Sequence, residues 1–145
     1  MRAVLLSGFL AGSLDLLATL TLMSTQGVRI QRVLQFIASG AFGTAAFEGG
    51  SRMAAAGLLF HFFIAGSVAW FYYWASMFLP VTVEHPWLCG ILYGAGVHLV
   101  MSFVVVPLSR TVKKKFSEKA FLTQLAIHMF CVGLPIALTQ NWLMR

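Results

Sequence analysis

Four stretches of this chain are long and apolar enough to cross a bilayer, and no other feature restricts its fold as strongly. An α-helix rises about 1.5 Å per residue, so roughly 20 apolar residues traverse the hydrocarbon. The runs cover about residues 3–23, 53–79, 87–106 and 120–142. Charged residues make up only 10% of the 145, whereas a soluble domain carries about 25%. Too few charges remain to solvate the surface of a water-soluble enzyme or to keep a disordered linker extended. The expected fold is all-α: an integral membrane four-helix bundle forming a single transmembrane domain over residues 1–145.

Within that frame, Pro80 and Pro107 are expected to end the second and third spans, and Pro135 to kink the fourth. The Met-Arg start followed by an apolar run resembles a secretory signal. Asp15 interrupts that run and no small-x-small cleavage site follows, so the first helix is expected to be retained. Between spans one and two, Val28, Ile30, Val33, Leu34, Phe36 and Ile37 alternate with Arg29, Gln31, Arg32 and Gln35. That pattern predicts a short interfacial helix. The small apolar stretch from Ala38 to Phe47 is too short to cross, so residues 28–47 read as a short interfacial or re-entrant helical segment.

Orientation follows from the basic residues. The loops after spans one and three hold Arg29, Arg32, Arg52, Arg110, Lys113, Lys114, Lys115 and Lys119, whereas the opposite side has only Arg2 and Arg145. The positive-inside rule therefore places loops 24–52 and 108–119 in the cytoplasm and both termini outside. Trp70, Trp74, Trp87 and Trp142 all fall toward the outer ends, as an aromatic belt would. The Lys113–Lys115 run reads as a contact for anionic lipid headgroups rather than nucleic acid. Cys89 and Cys131 sit singly in apolar runs and predict no disulfide.

Ionisable residues inside a span cost several kcal/mol unless partnered, so they mark where function is sought. Asp15, His61, His98 and His128 fall one per span, each roughly 8–9 residues, or about 12–14 Å, from the cytoplasmic end. Each belongs to a face rich in small or polar residues: Gly8, Gly12 and Thr19; Gly57 and Ala65; Gly90, Gly94 and Ser102; Gln124. Three uses of such a layer compete with simple packing hydrogen bonds. Asp15 and the three imidazoles have the donor types of a tetrahedral metal site. His61 and His128 lie on parallel helices at matching depth, as an axial pair for haem b would. Alternatively, the four groups relay protons or ions, with the imidazoles exchanging near neutrality. An accessory subunit of a larger membrane complex, or a homo-oligomer, needs none of this chemistry. Glu48 and Arg52 are spaced for an interfacial ion pair. No nucleophile elbow, P-loop, dinucleotide fingerprint or H-E-x-x-H motif occurs, so an enzymatic role is not favoured and no catalytic residue is assigned.

His61 followed by Leu79-Pro80, the Gly90-x-x-x-Gly94 pair before Pro107, and His128 with Gly133-Leu-Pro-Ile-Ala137 form a loose pattern over most of the chain. With the segments Ala46–Gly50 and Phe103–Ser109, it resembles the YagU-like bacterial inner-membrane proteins and other small four-span bacterial proteins. The resemblance implies a bacterial inner (cytoplasmic) membrane location and, beyond a suggested link to acid tolerance, no defined activity. In those relatives the span-three histidine stands where Ser102 stands here, one turn beyond His98 on the same face. Such a shift in depth counts against a fixed metal geometry.

Overall fold

The computed structural model describes residues 1–113 and 115–144; Lys114 and Arg145, both used in the orientation argument, lie outside the described residues. Among the described residues the chain is helical, with no strand. Helix α1 is Arg2–Thr25, α2 is Ile30–Phe42, α3 is Gly50–Ser76, α4 is Pro86–Leu108 and α5 is Glu118–Met144. A 3-10 turn, Gly43–Phe47, joins α2 to α3, and a single helical turn, Val81–Glu84, joins α3 to α4. Helices α1, α3, α4 and α5 are each long and apolar enough to cross a membrane.

Residue size is sorted between the inside and outside of these helices. Ala11, Ala38, Ala69 and Ala137 are fully buried, while Leu5, Phe9, Leu59, Phe63, Leu92 and Phe103 point outward, each more than half exposed. Small residues let the helix backbones approach closely. Gly8 and Gly12 of α1 abut Gly66, Ala65 and Phe62 of α3. Gly90 and Gly94 of α4 lie against the backbone of His128, Gly133 and Leu134 in α5. These contacts pair the ends antiparallel and give the packing order α3–α1–α5–α4.

The ends of the elements differ in part from those expected. Helix α3 stops at Ser76, before Pro80, and α4 runs one residue past Pro107. Proline lacks the N–H that would bond the carbonyl four residues back. The chain answers with π-helical turns immediately upstream, Met101–Val105 before Pro107 and His128–Gly133 before Pro135. Pro135 thus follows a widened turn that begins at His128. Helix α5 starts where Ser117 Oγ accepts from the Ala120 N–H, with Glu118 in the first turn.

The segment between α1 and α3 is more regular than its composition suggested. One helix runs from Ile30 through the small residues to Phe42 and ends at Gly43, whose φ of 61° suits glycine. It packs on α3 so closely that a side chain on Gly57 would collide with the Leu34 carbonyl. Gln35 Nε2 donates to the Gly50 carbonyl at 3.1 Å, and the Arg32 guanidinium sits 4.2 Å over the Phe47 ring. The loop after α4 is tied to the same helix: Arg110 N–H donates to the Gly40 carbonyl at 2.9 Å, and Ser39 Oγ lies 2.8 Å from Thr111 Oγ1.

Candidate functional site

Asp15, His61, His98 and His128, which the sequence places at one depth, line a single cavity of about 350 Å³ between the long helices. Ser102 of α4 and Gln124 of α5 line it too, as does Thr19 of α1. Val33, Phe36 and Ile37 of α2 also face it, so the short helix closes the end of the bundle where the chain crosses from α1 to α3.

The four ionisable groups form two pairs. Across α1 and α3, the close packing at Gly12 lets His61 reach the α1 backbone, and His61 Nε2 lies 2.8 Å from the Gly12 carbonyl. A carbonyl only accepts, so Nε2 carries the proton and donates it there. The same nitrogen is 3.9 Å from Asp15 Oδ2, within ion-pairing range but beyond a hydrogen bond. Asp15 Oδ1 is buried with no hydrogen-bond partner. Across α4 and α5, the His98 and His128 rings contact one another with centroids 5.1 Å apart. His128 Nδ1 donates to the Gln124 carbonyl one turn back at 2.8 Å, which leaves Nε2 as the base. His98 is buried, 3.5 Å from Ser102 Oγ, and its ring also packs on Phe121 at 4.6 Å between centroids.

This pairing bears on what the site can hold. Among the described residues no three of His, Cys, Asp and Glu gather closely enough for a metal ion. The tetrahedral set expected from Asp15, His61, His98 and His128 is therefore not assembled: each imidazole turns to its nearest helix neighbour instead of a shared centre. For the axial haem pair, His61 would have to give up the Gly12 carbonyl before Nε2 could ligate iron. Glu48 is exposed at the turn before α3, away from the cavity, and among the described residues no ion pair joins it to Arg52. Lys113 and Lys115 are exposed on the loop after α4.

A second polar cluster, which the sequence reading passes over, lies at the opposite end of the bundle. Gln140, fully buried on α5, donates through Nε2 to Ser7 Oγ of α1 at 3.0 Å and to the Ala69 carbonyl of α3 at 2.8 Å. Tyr93 of α4 donates to the Val68 carbonyl at 2.6 Å and packs edge-on against Tyr72. Asn141 Nδ2 reaches the Val83 carbonyl at 2.6 Å. An amide late in the last apolar run was the available signal; nothing in the spacing named its partners.

No family model, curated protein or solved structure matches the chain.

Proposed function

We propose that this chain is a polytopic bacterial inner-membrane protein whose central cavity takes up and passes protons or small ions through Asp15, His61, His98 and His128. The observation that carries the reading is the cavity itself: one carboxylate and three imidazoles from four helices share it, closed at one end by the apolar face of α2. Within it Asp15 has a buried oxygen with no donor, and His128 keeps Nε2 as a base. Chains of Asp and His inside membranes are the usual substance of proton relays. The membrane placement draws on the four apolar helices, and the bacterial one on the YagU-like resemblance. The eight-to-two distribution of Lys and Arg supports termini outside, with loops 24–52 and 108–119 cytoplasmic and Lys113–Lys115 against anionic headgroups.

The test is a flux assay in proteoliposomes with a pH-reporting dye. Wild type dissipates an imposed proton, Na⁺ or K⁺ gradient, and Asp15→Asn returns the rate to that of protein-free vesicles. Wild-type rates no faster than empty vesicles overturn the reading, and stoichiometric co-purification with partners then supports an accessory role. A Soret band in the purified protein would move the assignment to haem.

A further inference from the structure

The cavity contains one acid and, among the described residues, no Lys or Arg. Its remaining wall is largely apolar, including Leu16, Phe36, Ile64 and Val97. Small-molecule sites have this make-up, mostly apolar with a few placed polar groups, and 350 Å³ is at the small end of their range. The acid in it is under-served. No group donates to Asp15 Oδ1, and His61 Nε2, 3.9 Å from Oδ2, is committed to Gly12 at 2.8 Å. A buried carboxylate oxygen without a donor is costly, and a cationic ligand beside it offsets that cost.

The kind of counter-charge follows from the surroundings. A divalent cation calls for several charged oxygen ligands, whereas the cavity offers one carboxylate beside the neutral side-chain oxygens of Thr19, Ser102 and Gln124. An alkylammonium ion is weakly hydrated, needs no ring of ligands and gains from apolar walls. We propose that the cavity binds a small lipophilic organic cation, with Asp15 as its sole counter-charge, in exchange for a proton. Binding stands on the cavity alone; the exchange rests on the proton-handling role proposed above. Asp15 is faced by His61 from α3, His98 from α4, and His128 and Cys131 from α5, while α2 contributes only apolar side chains. Protonation of Asp15 removes the counter-charge, and protonation of any imidazole repels the ligand, so acid acts against the cation from every side.

Calorimetry on the full chain in detergent, with benzyltrimethylammonium as probe, tests this, alongside proton release in weak buffer. Wild type is expected to bind saturably and to release up to one proton per cation. Affinity falls about tenfold per pH unit once Asp15 holds its proton. Tetramethylammonium, lacking the apolar ring, binds more weakly. Asp15→Asn weakens binding about tenfold or more, and Asp15→Glu restores it in part. Absence of saturable binding by monodisperse wild type, or equal binding by Asp15→Asn, overturns the proposal. If Asp15→Asn does not fold, the wild-type pH series decides, and pH-independent affinity overturns it. Asp15-dependent proton flux without cation binding sinks this inference and leaves the proton reading standing; Asp15-dependent binding without flux does the reverse.

Discussion

The two ends of the bundle use polar residues in opposite ways. At the end carrying Arg2 and Trp142, Ser7, Gln140, Tyr93 and Asn141 each reach a partner on another element, or the turn beside it, at 2.6–3.0 Å. There the helices approach closely: Gly8 sits against Gly66 and Ala69, and Gly90 against Gly133 and Ala137. At the end nearer α2, bulkier His61, His98 and His128 stand on the same helices and hold open about 350 Å³. His61 bonds the Gly12 carbonyl of α1 at 2.8 Å, but His128 bonds its own helix and His98 meets Ser102 of its own helix at 3.5 Å. At one end the polar side chains join helices, and at the other most of them line a cavity.

The comparison is broken most severely at the helix contacts. Gly133 approaches the Gly90 carbonyl and the Gly94 backbone so closely that any side chain there must push α4 from α5. Gly133→Val is expected to destabilise by about 3 kcal/mol, read as a large fall in detergent melting temperature. An unchanged melt would mean that the close contact does not hold the two helices. Next comes the inter-helix amide. Gln140→Leu removes bonds to both Ser7 and Ala69 and should cost about 1–2 kcal/mol, whereas a single membrane hydrogen bond averages about 0.6. The cost is moderated because Gln140 Oε1 is itself buried without a partner. Tyr93→Phe, which loses one bond to Val68 and keeps the ring contact with Tyr72, should cost about 0.6 kcal/mol.

These sites also show how much could be read in advance. Apolar length announced the four long helices, and counting residues from the basic loops put Asp15 level with three histidines, which the structure brings around one cavity. Helical period told which face each group occupies, because it depends only on 3.6 residues per turn. It was silent on helix order, so it could not say that Asp15 would find His61 while His98 found His128. Nor did it reveal the π-helical turn at His128–Gly133, which arises when Pro135 removes a donor beside the Gly94 contact. A helical segment over 28–47 was legible, but not that one α-helix would run unbroken from Ile30 to Phe42. Packing on Gly57 makes it one helix.

The smallest effect on stability is expected where the effect on function is greatest. In Asp15→Asn the side chain keeps its shape and loses its charge. No hydrogen bond to either carboxylate oxygen is broken, since Oδ1 has no partner and Oδ2 stands 3.9 Å from His61. His61 retains the Gly12 carbonyl whatever occupies position 15, so the α1–α3 contact survives. The melt should therefore shift by no more than about 0.5 kcal/mol. Gradient dissipation should nonetheless fall to background in the same preparation. A destabilisation near that of Gln140→Leu would show that Asp15 holds the helices together after all, and would erase the distinction between the two ends.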